Sequence, residues 1–278
     1  MMRPAANQHT EEIGMWKQWS VAVLSTVLVA TAFGQRPART SASEVRAAPQ
    51  GAAAENEPAF PFVDGLPDVK ITSKNDPTKP VAGGVRWFWR EYQKNIQQTK
   101  NANFNLCLLG DSITAMWPGD MFKKYFGKYA PVNFGLGGDR AENVLFRLNH
   151  GVLKDTSPKV IVLLLGTNNQ GMNTAEEVAY GVANVVRKLQ TVCPESRILL
   201  LGIFPKVGTP YERTKKTNAI LSQMDDGKTI RFLDPGAHML DEDGGILPGV
   251  LSDRVHLTRK GYAIWGDAMA PLLAEMME

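Results

Sequence analysis

The sequence predicts an α/β fold in which a central parallel sheet of five strands is covered by helices on both faces, a three-layer α/β/α sandwich. Three observations predict it. Five short apolar runs, several rich in β-branched residues, occupy residues 105–109, 132–134, 160–165, 198–204 and 230–233. Segments with apolar residues at helical spacing separate most of them, and polar or glycine-rich blocks follow the first three runs directly. Runs of this length suit strands buried on both faces. Their alternation with helices implies a parallel sheet built with right-handed crossovers. In such sheets the residues that do chemistry gather beyond the carboxyl ends of the strands.

The 278 residues divide into three parts. Residues 1–34 contain an uncharged stretch (18–35) that is mostly Val, Ala, Leu and Thr between 21 and 33, preceded by Lys17 and holding Ala30-Thr31-Ala32. That is the layout of a secretory signal with a small-residue cleavage site. It is short for a spanning helix, which needs ~20 residues, so a cleaved signal is favoured over an uncleaved anchor. Export, to a periplasm or beyond the cell, is the expectation. Glu11 and Glu12 dilute the positive region, and Met15-Trp16-Lys17 makes a better start than Met1. Residues 35–59, rich in Ala, Pro, Ser, Arg and Glu, read as a flexible linker. The domain is expected from Phe60 to the C-terminus.

With 44% apolar and 21% charged residues the chain is globular in composition. The net charge is only +3, and five of the 31 basic residues precede the domain, so nothing points to a nucleic-acid partner. Cys107 and Cys193 are too few for a disulfide framework or a metal spacing and read as two unpaired structural thiols. No His, Cys and carboxylate cluster suggests a metal, and no cofactor is expected.

Within the domain, a helix carrying Trp87, Tyr92 and Ile96 leads into the first strand. Gly110-Asp111-Ser112-Ile113-Thr114 follows that strand and sets a serine at a strand-to-helix turn, where a hydroxyl can face the cleft. It is not the G-x-S-x-G elbow, because Thr114 stands where the second glycine belongs. Alone it is equally ordinary N-cap chemistry. Gly135-Leu136-Gly137-Gly138-Asp139 follows the second strand, and Arg140 excludes a dinucleotide fingerprint. Glycines here can bring a backbone N–H close to a ligand oxygen, or simply make a turn before the helix of Val144, Leu145 and Leu148. Gly166-Thr167-Asn168-Asn169 ends the third strand and offers an Asn amide to a developing oxyanion.

Thr174-Ala175-Glu176-Glu177 is a capping box, followed by Val178, Val182, Val185, Val186 and Leu189 on one helical face. Asp253-Arg254-Val255-His256 stands before a last helix capped by Thr258, with Tyr262, Trp265, Met269 and Leu272 inward. A carboxylate three residues before a histidine can hold Nδ1 and leave Nε2 facing a serine.

The four blocks occur in the order that one cleft requires. On them the chain resembles the SGNH (GDSL-type) hydrolases, whose fold is flavodoxin-like. It is similar within that group to the platelet-activating-factor acetylhydrolase catalytic-subunit type and its bacterial esterase relatives. The runs Val132-Asn133-Phe134-Gly135-Leu136-Gly137-Gly138-Asp139-Arg140, Asn143-Val144-Leu145-Phe146-Arg147-Leu148 and Gly166-Thr167-Asn168-Asn169 carry the closer match, over residues 85–278. The resemblance implies a serine esterase with Ser112 as nucleophile, His256 as base and Asp253 as its orienting partner. It implies an oxyanion hole from the N–H groups of Ser112 and Gly138 with the Asn168 side chain. Phe146 replaces a tryptophan usual in the subgroup, and Asn169 stands where the wider family often has aspartate.

The expected substrate is a small-molecule or carbohydrate ester with a short acyl group, most readily acetyl. Segments joining the elements are brief, and Met116, Trp117, Phe122 and Tyr125 have the spacing to pack a helix onto the sheet. Residues 234–253, rich in Asp and Gly, suit a polar alcohol portion such as a sugar. Two rivals are an inactive SGNH-like carbohydrate-recognition module and a flavodoxin-like phosphate-binding domain. The intact blocks argue against the first, and the pairing of Asp253 with His256 against the second. The sequence does not indicate an oligomeric state, and a membrane enters only through the leader.

Overall fold

The computed structural model describes residues 69–101 and 103–278, so the leader, the linker and the domain start near Phe60 lie outside the described residues. Five parallel strands form the sheet in the order β2-β1-β3-β4-β5. They are β1 (Leu106–Gly110), β2 (Pro131–Gly135), β3 (Val160–Leu164), β4 (Arg197–Leu201) and β5 (Ile230–Leu233). Successive side chains of a strand point to opposite faces, and β1 and β3 are apolar throughout because both faces are covered. Cys107, Leu109, Ile161 and Leu163 face one core, Leu106, Leu108, Val160 and Val162 the other.

The first core is closed by α1 (Arg86–Lys100), α4 (Ala141–Asn149) and α5 (Ala175–Val192), with Leu221 of α6 (Tyr211–Leu221) at its edge. The second is closed by α3 (Gly119–Phe126) and α7 (Arg259–Met276), through Met121, Phe126, Trp265 and Met269. A one-turn helix, α2 (Ser112–Ala115), follows β1. From β1 the chain runs outward to β2 and then crosses back to β3. The switch point of the sheet is therefore at the carboxyl end of β1, where a cleft opens.

Local chemistry fixes the helix starts. The Thr174 hydroxyl accepts from Glu177 N at 3.2 Å, and Glu177 Oε2 accepts from Thr174 N at 3.1 Å. Such caps are worth about 1 kcal/mol. The same carboxylate also accepts from Thr72 N (2.6 Å) and Ser73 N (3.1 Å), mooring the first described residues to α5. Burial alone would raise the Glu177 carboxyl; the donors from Ser73, Thr72 and Thr174 reverse this and hold it well below the usual range. Thr258 caps α7 by accepting from Gly261 N. Cys107 and Cys193 are buried free thiols.

Two expectations need correction. The fourth strand ends at Leu201 and not at residue 204. Phe204 stays buried, but the backbone of Ile203 bonds to the Asn218 side amide (2.8 and 3.1 Å) instead of to a strand. The helix expected to carry Trp87, Tyr92 and Ile96 forms as α1, and its buried residues are Phe88, Tyr92, Asn95 and Thr99. Of the apolar group after Ser112, Trp117 packs among Phe126, Tyr262 and Trp265 as expected, whereas Met116 is exposed.

Candidate active site

Ser112 is placed by a crossing that tolerates almost no side chain. A Cβ on Gly110 would lie 2.3 Å from Leu164 O, and one on Gly135 would lie 2.3 Å from Ala115 N. Only glycine lets β1, β2 and α2 meet this closely. Asp111 caps α2, its Oδ1 accepting from Ile113 N at 2.9 Å, and thereby turns Ser112 toward the cleft. Asp111 is wholly buried, and burial pushes its carboxyl up to about 7. The Ile113 N–H opposes this, the Asp139 charge adds to it, and Thr167 and His256 pull it back.

His256 reaches Ser112 from the far end of the chain. An antiparallel bridge between Leu251 and Leu257, with Ser252 N donating to His256 O at 2.8 Å, closes a tight loop. Inside it Asp253 Oδ1 accepts from Val255 N (2.7 Å) and His256 N (2.8 Å). Its Oδ2 lies 2.7 Å from His256 Nδ1, and His256 Nε2 lies 3.0 Å from Ser112 Oγ. Hydrogen bonds from the His256 backbone, the His256 ring and the Val255 backbone hold the Asp253 carboxyl down at about 2. It is ionised across the whole range in which a histidine can work as a base, and an ionised partner selects the tautomer protonated at Nδ1. The imidazole then presents an acceptor to the serine.

The third component is the loop after β2. Gly138 has φ +74°, a backbone conformation suited to glycine. A Cβ on the neighbouring Gly137 would lie 3.7 Å from Ser112 Cβ, so this loop borders the serine. Asn168, half-buried after β3, donates from Nδ2 to Asp139 O at 2.8 Å and so sits on the same loop. Behind it the buried Asp139 carboxylate pairs with Arg147 at 2.5 Å. Burial raises the Asp139 carboxyl to about 6 despite the guanidinium, which leaves it ionised at neutral pH. Arg147 also donates to Asn95 Oδ1 (2.9 Å) and Phe134 O (3.0 Å). Removing one partner of such a buried pair costs about 3–5 kcal/mol, so the loop is held from beneath.

The structure thus brings Ser112, His256 and Asp253 into one chain of hydrogen bonds and sets Asn168, from the loop after β3, against the bordering loop that holds Gly138. Asn169 does different work. Its Oδ1 accepts from Ala141 N at 3.0 Å and its amide donates to Glu142 at 3.0 Å, capping α4. Lys206, which the sequence did not single out, donates to Thr167 O at 2.8 Å. Burial lowers its ammonium pKa, and the Asp111 charge opposes that. An isolated Lys after a Pro carries no pattern that would reveal this. Among the described residues no three His, Cys, Asp or Glu side chains are grouped as a metal ion needs. Nor is any described helix long and apolar enough to cross a membrane.

The arrangement can activate a hydroxyl and hold an anion beside it. Comparison with known proteins agrees with that chemistry. The model of the GDSL-like lipase/acylhydrolase family matches residues 108–264. Over 203 residues the chain is 31% identical to the platelet-activating factor acetylhydrolase IB subunit alpha2 of Bos taurus, covering 71% of this chain and 88% of the relative. Among solved structures, an acylhydrolase-like protein of Bacteroides fragilis superposes with a TM-score of 0.58 at 19% identity, covering 68% of this chain and 99% of that one. A GDSL-like lipase of Bacteroides thetaiotaomicron gives 0.54 at 16% identity, covering 66% and 97%. These structures share the five-stranded parallel sheet with flanking helices.

Proposed function

Since the chain belongs to the GDSL-like lipase/acylhydrolase family and is an esterase or acylhydrolase by that membership, we propose that it hydrolyses short-chain esters, acetyl esters above all, with Ser112, His256 and Asp253 as its triad. The observation that carries this reading is the unbroken series Ser112 Oγ, His256 Nε2, His256 Nδ1, Asp253 Oδ2, at 3.0 and 2.7 Å.

In this mechanism His256 Nε2 takes the Ser112 proton as Oγ attacks the ester carbonyl carbon. The carbonyl oxygen becomes an oxyanion, held by the N–H groups of Ser112 and Gly138 and by Asn168. Collapse breaks the bond to the alcohol, which leaves with the proton from His256. Water, deprotonated by His256, then attacks the acyl-serine, and the acid is released as Ser112 regains its proton. Asn168 already spends one N–H on Asp139 O, which aims the amide while leaving the second N–H for the oxyanion. Losing one such donor typically costs ~2.7–4 kcal/mol, or 10²–10³ in turnover. Asn168→Ala is therefore expected to lower kcat by that factor with KM nearly unchanged. A variant with kcat near that of the wild type would reduce Asn168 to a turn residue.

The name of the acetylhydrolase relatives supports a short acyl group, as does the burial of Trp117 in the core and not along a channel. The segment that leads into His256 carries the exposed Asp241 and Asp243 and supports a polar alcohol portion, such as a sugar. Comparing kcat/KM for p-nitrophenyl acetate, butyrate and octanoate tests the acyl preference. Acetate is expected to lead. A clear win for octanoate would mean an extended apolar groove and end the short-acyl reading.

A further inference from the structure

Trp87 stands in the first turn of α1 and is 41% exposed, although its neighbour Phe88 is buried. Its ring does not simply extend into solvent. A Cβ on Gly137 would lie 3.4 Å from Trp87 Cη2 and 3.8 Å from Cζ3; one on Gly138 would lie 3.9 Å from Cη2 and 4.0 Å from Cζ2. The benzo edge of the indole therefore lies along both glycines. The same point above Gly137 is 3.7 Å from Ser112 Cβ, so ring edge and serine flank one small space. The start of α1 is tied in place from behind. Val81 N donates to Glu142 O at 3.0 Å, and Asn143 donates to Val81 O at 2.8 Å, fixing the segment before α1 to the start of α4.

A large apolar ring left partly open beside a nucleophile is a surface for substrate. Which part of the substrate meets it follows from the proposed chemistry, on which this inference rests. The departing alcohol must lie toward His256 Nε2 to receive its proton, and the oxyanion must lie on Gly138. The acyl chain is left with the space bordering the glycine loop. We infer that Trp87 is a specificity-determining residue: its indole is the wall that ends the acyl site, and it is the reason the site takes short chains.

The test compares p-nitrophenyl acetate with the octanoate for wild type, Trp87→Phe and Trp87→Ala, with thermal melting to confirm folding. Trp87→Ala should raise the octanoate-to-acetate ratio of kcat/KM by roughly fourfold for each methylene that the opened space accepts. Trp87→Phe should fall between. Rates of Ser112 labelling by fluorophosphonates with ethyl and octyl chains should shift in the same direction, and they read the acyl site without turnover. An equal fall on both esters would show a ring that only supports the fold, and an unchanged ratio would show a ring outside the acyl path; either overturns the inference. Ser112→Ala in the same assay separates the two readings. If it keeps wild-type hydrolysis, the triad itself is wrong, whatever Trp87 does.

Discussion

Replacing Ser112 with alanine is expected to lower kcat by about 10⁶, the loss seen when the nucleophile of a serine triad is removed. The substitution deletes the attacking oxygen and leaves its surroundings intact. Asp111 still caps α2 through Ile113 N, Gly110 and Gly135 still allow the crossing, and the loop of His256 and Asp253 closes on itself. Stability should change little, because no buried polar group is orphaned by losing a half-buried hydroxyl. The residual rate, about 10³–10⁴ above water, would come from the oxyanion donors and substrate positioning. Intact-mass analysis after a fluorophosphonate probe provides the second reading: one adduct on the wild type, none on the variant. Equal labelling of both proteins would remove Ser112 from the mechanism.

Asp253→Asn is expected to cost up to about 10⁴ in kcat by the same kind of reasoning. Asparagine keeps an oxygen for Val255 N and His256 N, so the loop persists. It then turns an N–H toward His256 Nδ1, which must accept. The ring proton moves to Nε2, and the imidazole donates to Ser112 where it should accept. Asp253→Ala loses the loop contacts as well, and comparing the two separates tautomer from scaffold. The pH dependence follows from the depressed carboxyl. A group whose folded pKa is lowered contributes above its unfolded value, near 3.8, and that contribution is lost only as pH falls toward about 2. The acid limb of the wild-type kcat/KM profile should therefore contain no ionisation from Asp253 down to pH 4. A variant within tenfold of wild type would show that water can orient the ring through this exposed site.

Much of this was legible in the residues because its physics is local. Apolar runs of four to six residues cannot leave their backbone unpaired, and β3 and β5 follow from them almost to the residue. Thr174 and Glu177 announce α5 because a capping box acts within four positions. The candidate site residues were legible as four short blocks in the order of a family pattern, and the structure brings Ser112, His256 and Asp253 within hydrogen-bond distance of one another. What stayed hidden depends on partners distant in the chain. Nothing near Phe204 tells that Asn218 will satisfy the backbone beside it and end the strand. From the sequence Trp87 is only a residue of the first helix, and it is the approach of the glycine loop, fifty residues on, that gives its ring a neighbour. Asn169 and Asn168 are chemically the same side chain. They are told apart only by partners distant in the chain, Asp139 O for Asn168 and Ala141 N with Glu142 for Asn169.

The hydrogen bond between Ser112 and His256 spans 144 residues of chain, and under the proposed mechanism this makes hydrolysis a late event in the life of the polypeptide. Closing so long a loop is entropically costly until intervening contacts shorten it. The turn at Ser112 is built from β1, β2, β3 and α2, whereas His256 arrives just before the last helix. A chain emerging from synthesis carries the Ser112 hydroxyl without the imidazole proposed to activate it. On the proposed mechanism competence waits for the C-terminal loop to dock, and a chain cut short before that loop keeps Ser112 and lacks His256.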